Sequence, residues 1–334
     1  MSNSVVTNIL NKRKIILGPK DQIKSSSLSK YNWAYPLFKD MQNNEWKASG
    51  ISLVKDNIKA CDAGTQLGVK RALAFLTNLD GIQVDNLAYN VVNHITDYTV
   101  QQCIYRQIYE EANHVDSYDT IITTYYDDPT EVYLLHEENK ILREKNNYIL
   151  AQAGNLGKEF SVEKFIYAVV SNILLEGVYF HSGFSLFYAV QRFQRELSGG
   201  CEMIQYIQRD ETSHLVLFIN IFNALKKEFP EAFTAQVYNR IEKLTDMSCD
   251  LEISWGNHLI EKGIPGLSEN NNSNYIKTLA DENLNKMGMR SIYGVKNPYP
   301  WIKEFTAIAN KNEKNFFENK VQAYSSKILD MDDI

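Results

Sequence analysis

Two short stretches, Glu111-Ala112-Asn113-His114 and Glu211-Thr212-Ser213-His214, repeat the pattern Glu-x-x-His at an interval of 100 residues. A spacing of three places both side chains on one face of a helix, where they can bind the same ion. With 41 acidic residues in 334, about one histidine in eight has an acid at this position by chance. A single copy is therefore weak evidence for an ion-binding site, and the inference rests on the repeat.

Each Glu-x-x-His motif follows an isolated acid in an apolar stretch. Asp80 lies 31 residues before Glu111, and Glu176 lies 35 residues before Glu211. The sequence thus predicts two helix pairs that face each other around a pseudo-twofold axis, with four carboxylates and two imidazoles pointing inward. This is the ligand set of ferritin-like bundles that bind two iron or two manganese ions. Four carboxylates also balance the charge of two divalent cations in a buried site.

The composition favours an all-α protein. Proline occurs only 7 times, and residues 37–128 and 130–229 contain none, so that Pro129 alone separates two long proline-free stretches. Hydrophobic residues make up 44% and charged residues 23%, which is typical of a globular chain. A length of 334 residues fits about two domains or one large helical unit. The net charge of −6 disfavours nucleic acid as a partner.

One apolar stretch, Phe165–Gln191, is long enough to span a membrane. It contains Asn172, Glu176 and His181, which favours a buried central helix instead. We therefore expect no membrane association. The N-terminus has no hydrophobic signal core, and its basic, nearly acid-free residues 1–39 resemble a transit peptide only weakly. Four scattered cysteines suit reduced thiols, so we expect a cytoplasmic protein.

Several local features are also predicted. Gly177 and Gly183 lower helix propensity beside Glu176, which predicts a local distortion that lets this carboxylate shift. Ser198-Gly199-Gly200 is predicted to break the helical pattern before the second Glu-x-x-His helix. The polar stretch Ser268–Asn274 is predicted to be a loop.

At these residues, and from about Trp46 to the C-terminus, the sequence resembles the small, radical-generating subunit of class I ribonucleotide reductase. Tyr118 follows His114 by four residues, at the position where that family carries its stable tyrosyl radical. Phe180, Phe184 and Ile207 match the apolar residues that surround the radical. The resemblance implies that these side chains keep water and reductants away from Tyr118.

Three further matches concern radical transfer. The resemblance implies that Trp46, Asp210 and Tyr324 relay the oxidising equivalent to the large subunit. Asp210 also matches the family's carboxylate that bonds the ligand His114. Such a carboxylate has a physical role, because a metal-bound histidine normally donates its other ring N–H to an acceptor.

The resemblance further implies an activity, cofactors and partners. Two iron ions per chain, or two manganese ions, would be held by six ligands: Asp80, Glu111, His114, Glu176, Glu211 and His214. Together with oxygen they would generate the radical that the large (alpha) subunit uses to reduce ribonucleotides to deoxyribonucleotides. The chain would form a homodimer. The sequence contains neither a GxGxxG nor a P-loop motif, so it gives no indication that the chain itself binds a nucleotide.

The predicted organisation has three parts: a flexible N-terminal arm at 1–35, a ferritin-like helical domain at 36–310, and a flexible tail at 311–334 that docks on the large subunit. Two alternatives use the same bundle. One is a ferritin-like di-metal oxidase or desaturase, which has no need for Tyr118, Trp46 and Tyr324 together. The other is a non-enzymatic iron store, which takes up many more than two ions per chain.

Overall fold

The structure, a computed structural model, describes residues 2–307 except Lys20, Gln22, Ser27, Gly157 and Lys158. Its α-helices are α1 (Ser2–Lys12), α2 (Ala34–Asn43), α3 (Ala63–Asp85), α4 (Tyr98–Tyr125), α5 (Thr130–Tyr133), α6 (Leu135–Glu138), α7 (Lys140–Ala153), α8 (Val162–Leu174), α9 (His181–Ala189), α10 (Ser198–Glu228), α11 (Ala235–Ile260) and α12 (Glu269–Lys286). The only β-type pairing among these residues is an isolated bridge between Ile16 and Ile95. The prediction of an all-α protein is confirmed.

The long helices form a bundle around one apolar core. Helix α3 packs along α4, and α10 packs along α8, while α4 and α10 contact each other across the centre. Helix α11 covers α3, α8 and α9 and packs in turn on α12. The two predicted helix pairs, α3 with α4 and α8 with α10, therefore meet face to face.

The apolar stretch forms one helical rod from Val162 to Gln194, and the apolar window within it is completely buried inside the protein. It is the one helix among the described residues that is long and apolar enough to cross a membrane. Its burial confirms the prediction of a central core helix. Two π-helical segments, Leu175–Tyr179 and Val190–Gln194, interrupt its α-helical pattern. The first contains Glu176, so the predicted distortion beside this carboxylate is present.

Side-chain caps explain where most of the long helices begin. Asp62 accepts a hydrogen bond from Thr65 N at 3.0 Å at the start of α3, and Asp97 accepts one from Thr99 N at 3.0 Å at the start of α4. Such caps satisfy backbone N–H groups that have no partner within the helix. Helix α10 uses a carboxylate from far away in sequence, since Asp56 accepts from the backbone N–H groups of its first turn.

Two local predictions were wrong. Residues 269–274 are helical because the Ser268 hydroxyl caps α12, with Glu269 in the first turn. Gly199 and Gly200 lie inside the first turn of α10 and do not break the helix. The chain turns before them, at Arg195 and Leu197, which have φ of 64° and 56°. Small residues are needed at 199 and 200 because the carbonyl of Ser52 and the hydroxyl of Tyr125 leave no room for a Cβ.

The ends of the chain bear on the predicted domain boundaries. The described part of the segment 1–35 contacts the bundle: Ile15 and Ile16 are buried, Lys30 pairs with Glu228 at 2.9 Å, and the Tyr31 hydroxyl donates to the same carboxylate at 2.5 Å. The tail at 311–334 lies outside the described residues. The boundaries at 35 and 311 stay predictions.

Candidate metal centre

The bundle brings all six predicted ligand residues together in its interior, and none is more than 2% exposed. Helix α3 carries Asp80, and α4 carries Glu111 and His114 on one face. Helix α10 supplies the second Glu-x-x-His pair in the same way. The first π segment supplies the sixth residue, Glu176. Helical spacing thus sets each pair locally, and the packing of four helix segments joins the pairs.

The six residues form two overlapping clusters. One contains Asp80, Glu111, His114 and Glu211, and the other contains Glu111, Glu176, Glu211 and His214; within each cluster one ligand atom per residue lies within 4.8 Å of all the others. Glu111 and Glu211 belong to both clusters, so their carboxylates are placed to be shared between two ions. The arrangement can hold a pair of neighbouring cations.

Several donor atoms of these clusters are buried without a hydrogen-bond partner among the described residues. They are both carboxylate oxygens of Asp80, one oxygen each of Glu111, Glu176 and Glu211, and Nδ1 of His114. His114 Nδ1 lies 3.0 Å from Glu211 Oε1, but without the geometry of a hydrogen bond. Buried polar atoms are normally paired, because leaving them unpaired is costly. Oxygen and imidazole donors suit iron or manganese, so the residues fit a two-metal site.

The pKa shifts of the candidate ligands also fit a two-metal site. Burial raises the pKa of Asp80 and Glu176 well above the usual carboxyl range. Burial acts on Glu111 in the same direction, but the charges of His214 and His114 outweigh it and lower the pKa of Glu111 to about 2. The two imidazoles have raised pKa values despite burial, because carboxylates surround them. Cation binding is therefore expected to release protons from Asp80, Glu176 and the two imidazoles.

Each ligand histidine contacts an acidic residue that directly precedes the glutamate of the other Glu-x-x-His motif. His114 Nε2 lies 3.3 Å from Asp210 Oδ2, and His214 Nε2 lies 2.9 Å from Glu110 Oε2. The first contact was predicted. The second was missed, although the sequence holds its signal, since Glu110 stands before Glu111 as Asp210 stands before Glu211.

Two glutamines that sequence reasoning missed hold Glu176. Gln107 Nε2 donates to Glu176 Oε1 at 2.9 Å and to Glu111 Oε1 at 3.0 Å. Gln83 Nε2 donates to Glu176 Oε1 at 2.5 Å. Both glutamines are fully buried. Their signal was helical spacing, with Gln83 three residues after Asp80 and Gln107 four residues before Glu111.

The predicted radical residue, Tyr118, lies on α4 one turn after His114. It is completely buried, and its hydroxyl has no hydrogen-bond partner among the described residues. Burial, together with the charges of Asp80 and Glu211, raises the pKa of Tyr118 well above its usual value. The phenol is therefore neutral at physiological pH.

The other predicted site residues occupy different places. Phe180, Phe184 and Ile207 are buried in the core, and the two phenylalanine rings stack at 5.5 Å. Trp46 is half-buried and donates a hydrogen bond from Nε1 to Asp210 Oδ2 at 2.6 Å. Tyr324 lies outside the described residues.

Comparison with known proteins gives consistent matches. The family model described as "Ribonucleotide reductase, small chain" matches residues 27–298. Ribonucleoside-diphosphate reductase subunit beta of Treponema pallidum is 30% identical over 97% of this chain and 94% of its own length. The ribonucleotide reductase R2 subunit from Clostridium botulinum is 32% identical, with a TM-score of 0.84 over 88% of this chain and 94% of that chain.

A more distant structure, the dimanganese(II) NrdF of Streptococcus sanguinis, has a TM-score of 0.70 at 16% identity, over 82% of this chain and 95% of that chain. At this identity it shows the shared fold alone. The family and relative matches support the reductase function over the oxidase and iron-storage alternatives. The chain therefore belongs to the family of ribonucleotide reductase small chains, the beta subunits of ribonucleoside-diphosphate reductase.

Proposed function

We propose that this chain generates and stores a radical on Tyr118, beside a two-metal centre, and passes the oxidising equivalent to the large subunit for ribonucleotide reduction. One observation carries the proposal. Six buried ligand residues converge one helical turn from a completely buried tyrosine, and among the described residues five of the six, as well as the tyrosine hydroxyl, have atoms without a hydrogen-bond partner.

Asp80, Glu111, His114 and Glu211 would hold one ion, and Glu111, Glu176, Glu211 and His214 the other. When bound, two such ions would supply, with an oxidant such as O2, the redox chemistry for a one-electron oxidation of the phenol. The donor set accepts iron or manganese, and affinity order alone does not choose between them. We propose two iron ions per chain, with manganese as the alternative that the Streptococcus sanguinis relative carries.

The surroundings of Tyr118 suit a stored radical. The buried phenol is neutral before oxidation, so it must lose its hydroxyl proton together with the electron. The core residues Phe180, Phe184 and Ile207 are closed to solvent, and we propose that they keep water and reductants from the radical.

We propose that Trp46 and Asp210 carry the oxidising equivalent outward. Trp46 is half-buried, and its indole N–H bonds the carboxylate that also meets His114. The route would continue through Tyr324 in the tail, which we propose docks on the large subunit. We also propose that the chain acts as a homodimer in the cytoplasm.

The decisive experiment is a low-temperature electron paramagnetic resonance spectrum of the full chain after addition of ferrous iron and O2. We expect a tyrosyl signal in the wild type, its loss in Tyr118→Phe, and about two metal ions per chain in both. Tyr125→Phe, which alters another buried tyrosine of α4, is the matched control and should keep the signal. A signal that persists in Tyr118→Phe would refute the assignment of the radical. If none of the proteins gives a signal, the same measurement would be repeated with manganese in place of iron.

A further inference from the structure

One fully buried charged pair among the described residues lies outside the six candidate ligands. Lys145 of α7 and Glu252 of α11 are fully buried and form a direct ion pair. The Lys145 ammonium also lies 3.4 Å from the centre of the Phe75 ring. Burying two charges costs free energy that an apolar pair of similar volume avoids. The burial of this pair must therefore be explained by the other groups that Lys145 and Glu252 bind.

Both groups bind the backbone next to the first π segment. Lys145 Nζ donates to the carbonyl of Tyr179, the last residue of that segment, at 3.3 Å. Glu252 Oε1 accepts from the backbone N–H of Ser182, in the first turn of α9, at 3.0 Å. Where a helix changes its hydrogen-bond pattern, backbone groups lose helical partners and need others. The ion pair supplies one donor and one acceptor at this junction.

A third side chain binds the same segment from another helix. Asn283 of α12 donates from Nδ2 to the carbonyl of Gly177 at 3.0 Å. A Cβ at position 177 would collide with this amide, so only glycine allows the approach. Three helices thus hold backbone groups that lie one, three and six residues after Glu176.

We propose that Lys145, Glu252 and Asn283 are positioning residues that stabilise the π segment and thereby direct the Glu176 carboxylate into its cluster. The inference rests on the two-metal centre proposed above. Glu176 belongs to only one of the two clusters. The three side chains therefore act on one ion and not on the other.

The test is a calorimetric titration of the full chain with Mn²⁺ alone. In Lys145→Met/Glu252→Leu, apolar residues of similar length replace the pair, a change that often preserves stability. We expect the ion of the Glu176 cluster to bind about 10–100-fold more weakly, as when other groups that orient ligands are removed, and the other ion to bind as in the wild type. Glu176→Gln and Asp80→Asn identify which binding step belongs to which cluster.

Two further variants sharpen the test. Glu252→Gln keeps an oxygen that can accept from Ser182 N, so it should retain most of the affinity that the double variant loses. Glu228→Gln is the matched control, because it weakens buried contacts to Tyr31 and Ile15 far from the π segment. It should leave both binding steps unchanged. Urea unfolding of each variant shows whether stability has changed.

The outcomes separate this inference from the proposed function. If the wild type does not bind two ions, both fail. If the wild type binds two ions and the double variant binds both equally well, only the positioning role fails. Equal weakening of both steps, together with lower stability, also overturns it, because that is a purely structural effect. If the double variant does not fold, Asn283→Ala decides by the same criterion, since it removes one of the three backbone contacts.

Discussion

Trp46 donates a hydrogen bond from its indole Nε1 to Asp210 Oδ2 at 2.6 Å, although the two residues lie 164 positions apart. The same oxygen lies 3.3 Å from His114 Nε2, and Arg209 contacts the other oxygen at 3.0 Å. Burial alone would raise the pKa of Asp210, but the bond with His114, the charge of Arg209 and the bond from Trp46 lower it. The carboxylate is therefore ionised and joins a half-buried indole to a candidate ligand.

Replacing Trp46 with phenylalanine removes the indole N–H and keeps an aromatic ring. We expect reduction of ribonucleotides with the large subunit to fall by about 10–100-fold, the equivalent of one charge-assisted hydrogen bond. The metal content should stay unchanged. Trp33→Phe, at a half-buried tryptophan near the N-terminus, is the control. Full turnover in Trp46→Phe would remove the indole from the proposed route.

Replacing Glu110 with glutamine removes the charge that faces His214. Because Glu110 orients this imidazole, we expect the ion of the Glu176 cluster to bind about 10–100-fold more weakly. Calorimetric titration with Mn²⁺ measures the change. Glu137→Gln, at an exposed position of α6, serves as the control. Unchanged binding in Glu110→Gln would mean that the carboxylate has no influence on the site.

His181 makes the metal-free protein sensitive to acid. Burial, with a smaller contribution from the charge of Lys286, lowers the pKa of His181 to about 4, against about 6.5 in an unfolded chain. Between these values the unfolded state binds a proton that the folded state does not, so stability falls as the pH drops from 6.5 towards 4. At pH 5 the loss is about 2 kcal/mol.

His181→Gln should remove this loss. Urea unfolding of the metal-free wild type and variant at pH 7 and pH 5 isolates the contribution of His181, because the other titrating groups are common to both proteins. An equal pH dependence in the two proteins would contradict the depressed pKa.

Asp56→Ala should destabilise the start of α10. The Asp56 carboxylate accepts from Gly199 N at 2.9 Å, from Gly200 N at 2.7 Å and from the buried Tyr125 hydroxyl at 2.6 Å. Loss of a helix cap and an unpaired buried hydroxyl together cost about 2–3 kcal/mol. Asp127→Ala, which breaks an exposed pair with Lys59, is the control and should cost less than about 1 kcal/mol. Urea unfolding measures both.

Deletion of residues 325–334 tests the proposed docking tail. We expect reduction with the large subunit to be abolished, while the truncated chain still binds two metal ions, because all candidate ligands lie within the bundle. A synthetic peptide of residues 320–334 should inhibit the full-length pair by competing for the same surface. Full activity of the truncated chain would contradict docking through the tail.

The sequence alone predicted the all-α fold and the six candidate ligands. Each Glu-x-x-His pair is set by helical periodicity, which depends only on neighbouring residues, so His114 follows Glu111 on one face whatever surrounds them. Asp80 and Glu176 stood out because an acid in an apolar helix needs a partner. The contact between Asp210 and His114 came from the family resemblance.

Other features depend on how distant segments pack. The contact between Glu110 and His214, the Lys145–Glu252 pair and the support of α10 by Asp56 join residues 104, 107 and 143 positions apart. The glycines beside Glu176 indicated a distortion, but only the packing of α7, α11 and α12 shows which side chains hold the π segment. Periodicity along one helix specifies which residues share its face. Which residues of another helix they meet depends on how the whole chain buries its apolar surface, and only the tertiary structure decided that.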